Sequence, residues 1–169
     1  NDAINNPKKY EFVVTNPPYL NVNKADQPTK EQYFKSFDYE DLYQISLDRI
    51  MDSEGGVVIV PINFLSAENA EKIRDRFFAK FLIDEMNYFR EQVFADTTYN
   101  VIAFHYRRRK KSESPFGGRF VIKTHIYPDN LTVDIELKQE YHWTIGGEVL
   151  ALVRRYENKL GVRRLTEED

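Results

Sequence analysis

The chain has 169 residues, 41% of them hydrophobic and 14% aromatic, which is enough for one domain with a core and too aromatic for a disordered segment. Its 24 basic and 27 acidic side chains leave a formal net charge of -3, which excludes the uniformly basic surface of a small nucleic-acid binder and confines any such contact to local patches. The lack of cysteine excludes disulfide staples and thiolate metal sites, and no run approaches the roughly 18 apolar residues of a membrane span or opens the chain as a signal peptide, so a cytoplasmic protein is expected.

The first element is the apolar run Phe12-Val13-Val14, expected to be a buried strand, and it leads into Asn16-Pro17-Pro18-Tyr19. Open α/β sheets place their chemistry at the carboxyl ends of strands. Two consecutive prolines fix the backbone and remove two amide donors, leaving carbonyl oxygens free to accept hydrogen bonds from another group. Asn16 adds a carboxamide acceptor and Tyr19 a flat aromatic face. The set suits a planar group that bears an amine, such as the exocyclic amine of a nucleobase.

Further along, Tyr43, Leu47, Ile50 and Met51 share one helical face within 39–52, with Glu40 and Asp41 near the start and Gly55-Gly56 as the stop. Val57-Val58-Ile59-Val60, closed by Pro61, has the pattern of a strand covered on both faces. Ser66 is the expected N-cap of a helix carrying Ala70, Ile73, Phe77, Phe78 and Phe81. Strands are expected over 82–89 and 100–106, giving the order of the second half of a doubly wound sheet.

The basic run Arg107 to Lys111 and the linker-like segment after it place a boundary there. The run is either a phosphate contact or a solvated strand end. Beyond it, Phe120, Ile122 and Ile126 alternate on one strand and Leu131, Val133, Ile135 and Leu137 on another, a hairpin with one buried face. Trp143 fits beneath that hairpin or against DNA. Val149, Leu152, Val153, Tyr156 and Leu160 then mark an amphipathic helix stopped by Gly161. His105, His125 and His142 show no ligand-like spacing, and no metal site is expected. Asp84-Glu85 and the acids of 167–169 read as solvated.

Asn16-Pro17-Pro18-Tyr19 with its flanks resembles the catalytic motif of S-adenosylmethionine-dependent DNA adenine-N6 methyltransferases of the gamma-like class. The resemblance extends over about residues 2 to 106: Asp41-Leu42-Tyr43, the run from Gly55-Gly56 to Leu65, and Val93-Phe94 ahead of Asn100 to Phe104 follow in the family's order. It implies an α/β fold, the second half of a Rossmann-like methyltransferase sheet, followed by a small α+β segment. It also implies roles. Asn16 and the Pro17 carbonyl resemble the acceptors of the adenine amine, within the catalytic stretch Asn16, Pro17, Pro18 and Tyr19. Tyr19 resembles the residue that stacks on a flipped base, and Phe94 a second aromatic wall, though spacing alone leaves Phe94 equally open as a core residue. Asp2 resembles the acid that contacts the cofactor's adenine ring.

The implied partners are double-stranded DNA and S-adenosylmethionine, in a restriction-modification system. No glycine turn of the Phe-x-Gly-x-Gly kind precedes Asn16, so most of the cofactor site is expected on a missing N-terminal half, in the same or a separate chain. Residues 1–111 are then the C-terminal half of a catalytic domain and 112–169 the linker, hairpin and helix that begin a DNA-recognition region. Cut beside the strand at Phe12, the sheet would have an unpaired edge, and the isolated chain would be inactive and bind the cofactor weakly or not at all. Two alternatives stay open: an enzyme methylating RNA or protein-glutamine amines, and a non-catalytic DNA-binding subunit. The segment 21–24 lacks the acidic character usual after the motif in the glutamine enzymes.

Overall fold

The computed structural model describes residues 4–95, 98–110, 113 and 118–156. Six strands form one mixed sheet in the order β1-β2-β4-β3-β5-β6. They are β1 (Phe12–Thr15), β2 (Gly55–Pro61), β3 (Phe81–Phe89), β4 (Val101–Arg108), β5 (Arg119–Tyr127) and β6 (Leu131–Lys138). Pairing is parallel for β1–β2 and β3–β5 and antiparallel for β2–β4, β3–β4 and β5–β6. The helices are α1 (Gln27–Thr29), which widens into a π-type turn over Lys30–Phe34, then α2 (Leu42–Arg49), α3 (Asn63–Ser66), α4 (Glu71–Lys80) and α5 (Gly147–Tyr156). The expected α/β class is what folds. No helix among the described residues is long and apolar enough to cross a membrane.

One face of the sheet carries the core. Val58 and Val60 of β2, Ile102, Phe104 and Tyr106 of β4, and Ile83 and Met86 of β3 are buried, together with Leu47 of α2 and Ile73, Phe77 and Phe78 of α4. Phe77 is its centre, 5.0 to 5.9 Å by ring centroid from Phe64, Phe78, Phe81, Phe104 and Tyr106. Edge-to-face packing of this kind adds to the large apolar area each ring buries. The alternate residues Val57, Ile59 and Ala103 are only half-buried and His105 is exposed. The all-apolar run of β2 predicted cover on both faces, but the described helices supply it on one.

The same correction applies to β1. It was expected buried, yet among the described residues it pairs with β2 alone at the end of the sheet, and Phe12 is 56% and Val14 75% exposed. The unpaired edge expected beside Phe12 is therefore present.

Gly55-Gly56, read as a helix stop, belongs to β2. The physical reason for glycine there is close approach: a Cβ on Gly56 would lie 2.1 Å from the Val13 carbonyl oxygen and 2.8 Å from the Tyr106 ring. Helix α2 ends before it, with Ile50 capping. Ser66 is not an N-cap. It ends α3, its hydroxyl donating to the Ile62 carbonyl at 3.2 Å, and the extended Ala67 separates it from the helical turn that leads into α4. Phe81 opens β3 instead of closing α4.

Within the basic run the three arginines are tied to the chain itself, Lys110 is exposed, and Lys111 lies outside the described residues. Arg107 bridges Asp84 at 2.9 Å and Glu113 at 2.8 Å; Arg108 donates to the Ser53 and Met51 carbonyls, and Arg109 to the Phe78 carbonyl. They pin the end of β4 to the turn after α2 and to the end of α4. The hairpin beyond the run joins the same sheet, β5 lying parallel to β3. Trp143 is 3% exposed and packs 5.0 Å from Phe120 and 5.7 Å from Phe78, beneath the hairpin. Helix α5 keeps its apolar residues outward, with Val149 59% and Leu152 55% exposed; Leu160, Gly161 and the acids of 167–169 lie outside the described residues.

Candidate functional site

β1 delivers Asn16 to the carboxyl edge of the sheet, where the two prolines turn the chain toward Tyr19. Asn16 and Pro18 are exposed, Pro17 buried and Tyr19 half-buried against the core. The Tyr19 hydroxyl donates to Asn16 Oδ1 at 2.7 Å, with the Ile59 carbonyl also in reach at 3.2 Å. Burial pushes the Tyr19 hydroxyl up to about 12, so it stays a donor at every physiological pH. A carboxamide oxygen has two acceptor sites, and Tyr19 occupies one while fixing the side chain's direction. Among the described residues nothing donates to the Pro17 carbonyl.

Phe94 joins this group from the segment between β3 and β4. Its ring lies 6.2 Å from that of Tyr19 at 67°, an edge-to-face contact, and it stands outside the buried core. The structure thus brings Asn16, Pro17, Pro18, Tyr19 and Phe94 together. Asp2 lies outside the described residues.

Two cavities flank the motif. A groove of about 640 Å³ runs along the free edge of β1, lined by Val14, Asn16, Pro17 and Pro18 and by Leu42, Ser46 and Arg49 of α2. The Arg49 guanidinium lies 4.5 Å over the Phe37 ring, and its Nε is buried without a partner. The second cavity, of about 190 Å³, is polar and includes Tyr19, Asn21, Asp41, Tyr43, Asn63 and Asn69. Tyr19 lines this pocket and not the groove, whereas Asn16 lines the groove and not the pocket, so the 2.7 Å bond joins the two walls.

Asp41 anchors the polar pocket. Asn21 Nδ2 donates to it at 3.1 Å and Asn69 Nδ2 at 3.2 Å. Burial raises its carboxyl above the usual aspartate range, and the two amides hold that rise back. Gln44 returns from the first turn of α2 to accept from the Glu40 and Asp41 amides at 3.0 and 3.1 Å, which closes the helix start and fixes Asp41. The sequence offered Asp41, Tyr43 and Asn63 only as parts of ordered motifs without roles. Nothing in their spacing shows that they share a cavity with Tyr19.

One group of three among the described residues has the geometry to hold a cation: Glu71, Asp75 and His142, whose ligand atoms lie within 4.8 Å of one another. Its imidazole is already held by Asp75 at 2.7 Å and Glu71 at 3.4 Å. The 67 residues between Asp75 and His142 hid this cluster from spacing rules. His125 bonds Thr132 and Glu85, each at 3.0 Å, and His105 stacks on Phe12.

Among solved structures, the chain is similar to a modification subunit described as part of a type I restriction enzyme from Vibrio vulnificus YJ016 (TM-score 0.51, 13% identity, 92% of this chain and 32% of that one). It is also similar to a chain of a type I restriction-modification system (TM-score 0.53, 15% identity, 92% and 31%) and to the type IIG restriction endonuclease BpuSI (TM-score 0.53, 15% identity, 89% and 22%). At these identities the likeness is one of fold, and it fits the Rossmann-like methyltransferase sheet expected from the motif order. The chain spans about a third of the length of these proteins or less. No curated sequence relative matches. The family model of the Eco57I restriction-modification methylase matches residues 2–94, more than half of the chain and the whole run from Asn16 to Phe94. On that match, the chain belongs to the Eco57I restriction-modification methylase family.

Proposed function

We propose that this chain supplies the base-receiving half of a catalytic domain that methylates the N6 amine of an adenine extruded from double-stranded DNA, within a restriction-modification system. The observation that carries it is the placement of Asn16 Oδ1 and the unpaired Pro17 carbonyl beside Tyr19 and Phe94, at the carboxyl end of a strand. An adenine amine is a poor nucleophile because its lone pair is delocalised into the ring. Two acceptors that take its two hydrogens turn the lone pair out of conjugation and stabilise the positive charge that develops on nitrogen. Nitrogen would bond the methyl carbon as that carbon's bond to the donor sulfur breaks, the electron pair staying on sulfur, and nitrogen would then lose a proton to solvent. No metal and no paired carboxylates enter this chemistry.

The base must leave the stack, which costs a few kcal/mol. Stacking on an aromatic side chain returns about 1–3 kcal/mol per contact. At 6.2 Å and 67°, Tyr19 and Phe94 leave no slot between their rings, so a base on the Tyr19 face requires the Phe94 ring to swing toward parallel.

S-adenosylmethionine, the donor implied by a methylase family, supplies an electrophilic methyl group. The described residues fit its reacting end only: the groove along β1 opens beside Asn16 and Pro17, and no described glycine turn leads from a strand into a helix to hold a nucleoside. The remainder of that site would be shared between Asp2, outside the described residues, and a further segment or partner chain, which would also cover the free edge of β1. Residues 112–169 would begin the DNA-recognition region.

Competition among duplex DNA, RNA and a glutamine-containing peptide, with full-length protein and tritiated methyl donor, tests the reading. Label is expected in adenine of DNA and undiminished by excess RNA or peptide. Label in the peptide amide or in RNA alone would reject it.

A further inference from the structure

We infer that the polar pocket beside Tyr19 reads the ring edge of the extruded base, with Tyr43 and Asn63 donating hydrogen bonds to a ring nitrogen that flanks the amine. The inference rests on the adenine reading above and deepens it.

Tyr43 is 2% exposed and lines the pocket, yet its hydroxyl has no hydrogen-bond partner among the described residues. A buried, unpaired hydroxyl costs about 1–3 kcal/mol, so its persistence needs a reason. Burial also pushes the hydroxyl's pKa well above the ordinary tyrosine value, which keeps its proton in place for donation. Asn63 lies at the start of α3, just after β2, and its carboxamide makes no hydrogen bond with any described residue. The pocket therefore holds two unused donors, and both belong to segments whose order follows the motif.

The chemistry of the walls selects the ligand. Asp41 places a carboxylate in the pocket, which repels a phosphate and rules out the nucleic-acid backbone as occupant. A volume of about 190 Å³ is below the roughly 300 Å³ at which sites for drug-sized ligands begin, and suits the edge of one heterocycle but no whole nucleotide. Tyr19 forms part of the wall, so a base stacked on its ring and held by its amine at Asn16 and Pro17 has a neighbouring ring nitrogen available to the pocket. In adenine the two nitrogens that flank the amine, N1 and N7, are acceptors. A donor pair there would favour adenine over a base with an N–H at that position, since the mismatch leaves two donors face to face.

The test uses full-length protein and synthetic duplexes carrying adenine, 1-deazaadenine or 7-deazaadenine at the target position, which is mapped first from wild-type methylation. Tyr43→Phe and Asn63→Ala are each expected to raise KM for the adenine duplex about tenfold, the size of one lost hydrogen bond. The penalty should vanish on the deaza duplex that lacks the nitrogen they hold. Tyr43→Phe should leave the melting temperature unchanged or higher, because it removes a hydroxyl that no described residue satisfies. Equal penalties on all three duplexes, or no penalty on any, would overturn the pocket's role while leaving adenine methylation intact. Wild-type protein that labels no adenine would remove the adenine reading and this one with it.

Discussion

Two functions meet in Tyr19. Its ring is the proposed platform for a base, and its hydroxyl holds Asn16 in place through a 2.7 Å bond. Substitutions can separate them. Tyr19→Phe keeps the platform and frees the carboxamide, so DNA affinity should change little while the single-turnover rate of methyl transfer falls about tenfold, the worth of one orienting hydrogen bond. Tyr19→Ala removes the platform too, and DNA affinity should drop by about 10- to 100-fold. Equal rates for Tyr19→Phe and wild type would mean that the hydroxyl does not position Asn16. Because burial pushes this hydroxyl up to about 12, its effect should not vary between pH 6 and 9.

Between elements, one tie among the described residues is a buried cation with no carboxylate in salt-bridge contact. Arg74 of α4 is 1% exposed and donates to the carbonyls of His142, Phe64 and Ala67 and to Thr144 Oγ1. It joins α4, the end of α3 and the turn after β6, and it holds Trp143 against Phe78. Desolvation lowers its affinity for the proton, yet an arginine keeps its charge under such a shift. Arg74→Met should cost about 3 kcal/mol or more in urea denaturation, because it leaves several buried acceptors unpaired. The emission of Trp143, the chain's only tryptophan, should move to the red as its cover loosens. Unchanged stability and emission would show that these acceptors find other partners.

Sequence gave little warning of Arg74, which reads as one more charge on an amphipathic helix. Three of its four partners are main-chain carbonyls, up to 68 residues away, and carbonyls carry no sequence signal. The strands and α4 were legible because apolar runs and 3.6-residue spacing reflect burial directly. Ser66 misled because its N-cap pattern ignored Ala67, whose extended backbone breaks the helix in two. Glu68 to Ala70 then starts a new turn. Asn16 to Tyr19 was legible as a stiff turn at a strand's end because prolines impose backbone geometry on their own. The polar pocket was not, since it joins positions as far apart as Asn21 and Asn69.

Across the molecule, helices cover one face of the sheet and leave β1 open, with Phe12 and Val14 toward solvent and the groove alongside. Exposed strand edges of this kind template pairing with another segment, as the proposed second half of the domain would provide. Stability should be bounded by pH on both sides. Burial raises Tyr19, Tyr39, Tyr43 and Tyr106 above the ordinary tyrosine value near 10. The unfolded chain therefore loses these protons first, and stability should fall as pH rises past about 10. On the acid side, hydrogen bonds from Thr29, Lys72, His125 and Arg107 hold Asp26, Asp38, Glu85 and Glu113 below their usual range. Their contribution is present above about pH 4 and is lost as pH falls through the folded values, with Asp41 opposing it. Melting temperatures across pH 3 to 11 should trace a plateau with two falling flanks, and a rise above pH 10 would contradict the burial of the tyrosines.

The most direct measurement is methyl transfer to adenine in duplex DNA by full-length protein carrying Asn16→Ala, alongside its DNA affinity. If Asn16 Oδ1 and the Pro17 carbonyl hold the amine for attack, the rate should fall by a factor of about 10² or more, the scale on which catalysis loses one preorganised polar group, with DNA affinity nearly unchanged. A rate within a few-fold of wild type would contradict it.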